Sequence, residues 1–213
     1  MEDVYNVLVT YIPIKTARLV CKKWEKIANL NISLYHVTDQ DLKTLGHMNI
    51  VSISSPYLSE IPYMESLHTL DITSCTLNVN HLTNLTQLNI SKSEVVDIFN
   101  LTNLIELDLG FNYKIRSITM LTNLISLNLE DTTNVSNLDT LINLEYLQLG
   151  FGNKVKNVSH LTNLTLLDLC FASSVKGMEK LVNLETLYLP ESGGKFDLRT
   201  LTNLTQLDNH LIR

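Results

Sequence analysis

A seven-residue phrase, Leu-x-Asn-Leu-x-x-Leu, occurs seven times in this chain, beginning at Leu82, Leu101, Leu121, Leu141, Leu161, Leu181 and Leu201. Consecutive starts lie 19 residues apart once and then 20 apart five times. A period this regular restricts the fold to a stack of like units, because one unit is too small to bury its apolar side chains except against its neighbours. Function must then reside at positions that repeat outward, or in segments outside the repeat.

Each unit can be numbered from its first leucine. The unit at Leu101 places Leu104, Leu107 and Leu109 at positions 4, 7 and 9, with Ile115 and Ile118 at 15 and 18. The Leu107-x-Leu109 step has the period of two of a short strand. The return to the next unit is short against an average helix of ~11 residues, which predicts extended or 3₁₀ turns on the outer side. Weaker copies extend upstream: Met64, Leu67, Leu70 and Ile72, then Leu45, Met48, Val51 and Ile53. Trp24, Ile27, Leu30 and Ile32 start a capping unit. Nine units are expected from Leu45 onward, ~40 Å long at a strand spacing of about 4.8 Å.

The recurring Leu-x-x-Leu-x-x-Leu-x-Leu-x-x-Asn frame over residues 27–213 resembles the leucine-rich-repeat family. The resemblance implies an α/β solenoid with a curved parallel sheet and short convex turns. It also implies a buried asparagine ladder at position 12, but here that position holds Cys75, Ser93, Asn112, Thr132, Gly152, Ala172 and Ser192. Asparagine recurs instead at position 3, in Asn84, Asn103, Asn123, Asn143, Asn163, Asn183 and Asn203. Because asparagine side chains bond nearby backbone and favour turns, a second amide ladder is expected there.

Positions 6, 8 and 10 should face the concave side. They carry Glu106 and Tyr146 at position 6, and Asp108, Gln148, Asp168 and Tyr188 at position 8. Phe111, Phe151 and Phe171 share position 11 at the strand exit. With Leu166 they can form an aromatic and acidic partner surface of the kind found at interface centres. The alternatives are that the phenylalanines turn inward to fill the end of the core and that the acids only keep the chain soluble.

The first thirty residues do not repeat. Val4, Val7, Leu8 and Tyr11 have helical spacing; after Pro13, so do Ala17, Val20, Cys21, Trp24 and Ile27. The phrase Arg18-Leu19-Val20-Cys21-Lys22-Lys23-Trp24 resembles the C-terminal half of an F-box, and Val7-Leu8 to Ile12-Pro13 its first helix and turn. The Leu-Pro-acid opening usual in that family is absent, and the module is short. The resemblance implies docking onto a Skp-type adaptor of a cullin ubiquitin ligase through Leu8, Ile12, Pro13, Leu19, Val20 and Trp24. The expected organisation is an F-box-like helical segment at 1–30 and a solenoid of about nine repeats at 31–213. Two alternatives stand beside a ligase receptor: a repeat scaffold whose N-terminal helices only cap the stack, and a decoy that occupies the adaptor.

Charge excludes some classes of partner. Residues 1–30 carry five bases and three acids, whereas the remainder carries 11 bases and 19 acids. An acidic array is a poor phosphate-backbone binder, so no nucleic acid is expected. No apolar run reaches the ~18 residues of a membrane span, and the acidic start makes a poor signal peptide. No membrane is expected, and the compartment is expected to be cytoplasmic or nuclear. Sequons such as Asn84-Leu85-Thr86 and Asn163-Leu164-Thr165 are then by-products of the repeat. Cys21, Cys75 and Cys170 have neither disulfide nor zinc spacing. The six histidines form no metal motif, Gly193-Gly194-Lys195 is no phosphate cradle, and no histidine lies beside Cys170 to activate it. Neither an enzyme nor a cofactor is expected.

Overall fold

The computed structural model describes residues 6–9, 31–45, 49–170, 172, 175–190 and 197–209. Eleven strands stand in one parallel sheet in chain order. They are β1 (Asn6–Val9), β2 (Asn31–Tyr35), β3 (Ile50–Ser54), β4 (Thr69–Asp71), β5 (Gln87–Asn89), β6 (Glu106–Asp108), β7 (Ser126–Leu129), β8 (Tyr146–Leu149), β9 (Leu166–Asp168), β10 (Thr186–Leu189) and β11 (Gln206–Asn209). Nine of them, β3 to β11, follow residue 45 among the described residues.

The spacing of the leucines explains the path between strands. In the Leu121 unit, Leu121 N donates to Ile118 O at 3.0 Å and Leu124 N to Leu121 O at 3.1 Å. The same pair of bonds recurs in the units at Leu141, Leu161, Leu181 and Leu201. Each bond closes a tight i to i+3 turn. Apolar residues at positions 18, 1, 4 and 7 share that three-residue step, so every turn brings the next one inward. Ile118, Leu121, Leu124 and Leu127 are accordingly buried, in one core that runs the length of the stack.

The return segments are mostly turns, with a 3₁₀ turn at Met178–Lys180, as the short spacing predicts. The exception is α1 (Asp39–Leu45) between β2 and β3. Thr38 and Asp41 cap it reciprocally: Thr38 N donates to Asp41 Oδ2 at 2.8 Å, and Asp41 N donates to Thr38 Oγ1 at 3.4 Å. Its Leu42 enters the core.

Two upstream expectations change. Ile53 pairs with Leu70, so it stands at position 7 rather than 9, and Ile50 rather than Met48 stands at position 4. Leu45 ends α1 instead of opening a repeat. Both registers satisfy three-residue spacing; the helix consumes Leu42 and Leu45 and selects the later one. Likewise Leu34 pairs with Ile53, which moves Ile32 from the ninth position of the capping unit, and the pairing is irregular at Ile32/Ser33. The second change concerns the N-terminus, where Asn6–Val9 is a strand and not the start of a helix. Two β-branched residues at period two, Val7 and Val9, suit an extended chain, and β1 pairs in parallel with β2, Leu8 opposite Ser33. The helical expectation for Pro13 to Trp24 lies outside the described residues.

Two polar ladders stitch the units together. At position 12 the side chains differ in type but share a role, capping a position-9 carbonyl. Cys75 Sγ donates to Ser55 O at 3.8 Å, Asn112 Nδ2 to Ile90 O at 3.5 Å and Thr132 Oγ1 to Leu109 O at 2.7 Å, each in the preceding unit. Ser93 Oγ instead reaches Ile90 O of its own unit at 2.6 Å. As an asparagine ladder the row is confined to Asn112, as the sequence suggests; Cys75 and Thr132 make the inter-unit bond with other donors, and Gly152 and Ala172 offer none.

The second ladder runs through all seven position-3 asparagines. Asn123 Nδ2 donates to Thr102 O at 2.9 Å, Asn143 to Thr122 O at 3.0 Å and Asn183 to Thr162 O at 3.0 Å; Asn84, Asn103, Asn163 and Asn203 repeat the contact. The acceptor is the position-2 carbonyl of the preceding unit, so the amide joins units rather than closing its own turn. Asn143 is exposed. Asn143→Leu should therefore lower stability by about 1 kcal/mol, a fall of ~3 °C in Tm. An unchanged melting temperature would mean that these rungs contribute nothing.

Candidate partner surface

The strands fix the concave face through their register. Position 6 forms the row Thr69, Gln87, Glu106, Ser126, Tyr146, Leu166, and position 8 forms Asp71, Asn89, Asp108, Asn128, Gln148, Asp168, then Tyr188 and Asp208. Their side chains alternate with the buried leucines. Glu106 is exposed; Asp108, Tyr146, Gln148, Asp168 and Tyr188 are half-buried. A depression of about 430 Å³ crosses β4 to β8, with Asp71, Glu106, Asp108 and Tyr146 in its lining.

Repetition gives the acids a second task. Asp108 Oδ1 accepts from Gly110 N at 2.8 Å and Asp168 Oδ1 from Cys170 N at 2.9 Å; Asn89 and Asn128 make the same bond to Ser91 N and Glu130 N. This turn ends the strand. The aspartates are thus more than solubilising charge: one oxygen terminates the strand and fixes the side chain.

The tyrosines are tied to neighbouring amides. Tyr146 Oη donates to Gln148 Oε1 at 2.9 Å, and Gln206 Nε2 donates to Tyr188 Oη at 3.2 Å. Burial pushes the Tyr146 phenol up, and Asp168 and Asp108 add to the shift. The Cys170 thiol is pushed up to about 12, by burial first and by Asp168 second. It is a protonated thiol at neutral pH and a poor nucleophile. Among the described residues, no group of three or more His, Cys, Asp or Glu side chains is placed to hold a metal ion.

Glu130, at position 10, is held above the ordinary carboxylate range by burial, with Asp131, Asp108 and Asp168 adding to it. A raised folded-state value means that its ionisation opposes folding. The stabilising contribution is complete below the ordinary value of 4.5 and is lost as pH rises through the folded value. Glu130→Gln should therefore raise Tm at pH 7, and the difference should vanish near pH 4. A variant less stable than the parent at pH 7 would contradict this.

The position-11 phenylalanines divide. Phe111 has φ 57°, and Ser74, Lys92 and Asp131 share that left-handed conformation at the same position. The turn aims Phe111 N at Glu130 O, 2.8 Å away, and leaves its ring half-buried with Lys92 Nζ 5.5 Å from the centroid. In the next unit but one the left-handed residue is Gly152, at φ 63°, and Phe151 is 60% exposed. Phe151 therefore does not fill the core. Phe171 lies outside the described residues, as do Ile12, Pro13, Leu19, Val20 and Trp24; Leu8 is in β1.

Two surfaces were not foreseen from the sequence. A groove of about 700 Å³ follows the asparagine ladder, lined by His68, Ile105, Ile125 and Glu145 at position 5. On the outer side, Val96, Phe99 and Tyr113 are each more than half exposed around a pocket of about 430 Å³. Position 5 varies between units, so periodicity does not flag it; the exposed Phe99 and Tyr113 were the available signal for the other.

Comparison with solved structures identifies the architecture. Internalin C2 of Listeria monocytogenes superposes with TM-score 0.54 at 23% identity, over 71% of this chain and 77% of that one. A leucine-rich-repeat protein of Leptospira interrogans gives 0.63 at 21%, over 93% of this chain and 58% of that one. The fold is a leucine-rich-repeat solenoid. The functional domain of InlJ from Listeria monocytogenes, which includes a cysteine ladder, gives 0.53 at 21%, over 85% and 47%. The chain thus spans about half the length of the last two. No family model and no curated protein sequence matches this solenoid.

Proposed function

We propose that this solenoid is a protein-interaction module and acts as the substrate receptor of an SCF-type cullin ubiquitin ligase in the cytoplasm or nucleus. The observation that carries it is the Arg18-Leu19-Val20-Cys21-Lys22-Lys23-Trp24 phrase ahead of an array of parallel repeat strands. Leu8, Ile12, Pro13, Leu19, Val20 and Trp24 dock the Skp-type adaptor, Leu8 from strand β1. Glu106, Asp108, Tyr146, Gln148, Phe151, Asp168, Phe171 and Tyr188, with Phe111 at the rim, receive the protein substrate. The bond-making chemistry belongs to other subunits, and this chain contributes positioning.

The pairing of β1 with β2 favours a second reading, in which the N-terminal segment caps the stack of a scaffold. Purified adaptor should be retained by the full chain and lost with Val20→Asp or Trp24→Ala, both checked for folding by circular dichroism. A folded wild type that retains no adaptor would leave the scaffold, whereas adaptor retention without accumulation of any partner on deletion of residues 10–28 would indicate a decoy.

A further inference from the structure

Acids occur all round the solenoid, but the described bases avoid the outward strand positions. Among the described residues, positions 6, 8 and 10 hold Asp71, Glu106, Asp108, Glu130, Asp168 and Asp208 and no Lys, Arg or His; His210, at position 10 of the last unit, lies outside them. The described bases lie elsewhere: Lys114, Arg116, Lys154, Lys156 and Lys176 at positions 14 and 16, Lys180 and Arg199 at positions 20 and 19, and Lys43 in α1. Lys92, at position 11, is the base that acts on Glu130. The concave face therefore presents carboxylates with little internal compensation, beside a depression and an aromatic patch.

The spacing of those carboxylates is set by the sheet. Asp71, Asp108, Asp168 and Asp208 share one row, on β4, β6, β9 and β11. At about 4.8 Å per strand the intervals are ~10, ~14 and ~10 Å. An extended polypeptide advances ~3.3 Å per residue, so three residues cover the two-strand interval. Tyr146, Leu166 and Tyr188 surround Asp168 in the two rows and are half-buried, which leaves ring and aliphatic surface available beside the charge.

We infer that the concave face takes an extended basic segment of a partner protein, crossing the strands, with Lys or Arg at intervals of about three, four and three residues on the aspartate row and an apolar side chain over Leu166 between Tyr146 and Tyr188. This rests on the concave face being the partner surface. Complementary charge steers the encounter and fixes the register. The backbone N–H bonds to Asp108 and Asp168 already hold those side chains, so little rotamer freedom is lost on pairing. Aromatic faces add cation–π attraction for the basic groups.

The test uses a fluorescent synthetic peptide with four Lys spaced three, four and three residues apart and one Leu, against a peptide of the same composition with the lysines adjacent, and against its Glu counterpart. The first should bind several-fold more tightly than the second, and the third should not bind. Asp108→Asn with Asp168→Asn should weaken binding roughly tenfold. Asparagine retains the acceptor that ends the strand, as Asn89 and Asn128 show. Glu179→Gln with Glu185→Gln makes the same charge change away from the concave face and should leave affinity unchanged. Hydrogen exchange of the bound protein should slow in β6 to β9. Slowing there without discrimination between the lysine spacings would overturn the inference and keep the surface. Slowing elsewhere, or equal weakening by the control pair, would overturn both.

Discussion

Asn112→Ala should destabilise the protein by about 3 kcal/mol, a fall of ~9 °C in Tm for a chain of this size. Asn112 is fully buried. Its Nδ2 lies within 3.5 Å of Ile90 O, 3.2 Å of Ser93 Oγ and 3.3 Å of Val95 O; its Oδ1 accepts from Lys114 N at 2.9 Å and Ile115 N at 3.1 Å. Alanine removes every one of these contacts and leaves backbone groups of two units without partners in a dry interior, where each costs about 1–3 kcal/mol. The effect should exceed that of Asn143→Leu, whose exposed groups regain water. A Tm within a degree or two of wild type would show that the interior rung is not what holds these units together.

Gly150→Ala should cost about 3 kcal/mol, while Gly110→Ala, at the same position of its own unit, should cost less than about 1 kcal/mol. A Cβ on Gly150 would lie 2.2 Å from Asp131 N and 2.8 Å from Glu130 Cα. Those are backbone atoms of the preceding unit, and they can move only if the two units separate. At Gly110 the nearest atom is Asp108 Oδ1, 3.1 Å away, and Ser91, Glu130 and Cys170 carry a Cβ beside the same side-chain bond in their own units. The difference arises because the left-handed exit residue moves from position 11 to Gly152 in this unit, which presses the exit strand against its neighbour. Urea unfolding of the two variants should give midpoints well apart with equal slopes. Equal midpoints would contradict the close approach.

Much of this was visible in the chain because the repeat encodes its own geometry. Leucines three apart generate the i to i+3 turns, and Leu-x-Leu generates the strand, so the parallel stack follows directly. Where two registers offered the same spacing, as with Leu45-Met48-Val51 against Ile50-Ile53, only the packing of α1 decides between them. The asparagines at position 3 were legible as a ladder, but not their partner, because the bond joins units and one unit's sequence does not contain it. At position 12 the backbone-bonding side chains of Cys75, Ser93, Asn112 and Thr132 were legible, but not which of them reach the preceding unit: Cys75, Asn112 and Thr132 do, and Ser93 bonds its own unit. The outward acids were placed on the right face, but the turn they form with position 10 has no signature beyond an aspartate or asparagine two residues ahead. At the N-terminus, Val7 and Val9 satisfy a strand while Val4, Val7 and Leu8 satisfy a helix, and pairing with β2 settles Asn6–Val9 alone.

The proposed receptor role requires adaptor and substrate to occupy different surfaces of one solenoid. Hydrogen exchange of the full chain with and without a purified Skp-type adaptor tests that division most directly. The prediction is slowed exchange confined to residues 8–28, with β4 to β10 unchanged and free for substrate. No change at 8–28, or slowing on the concave strands instead, would contradict it.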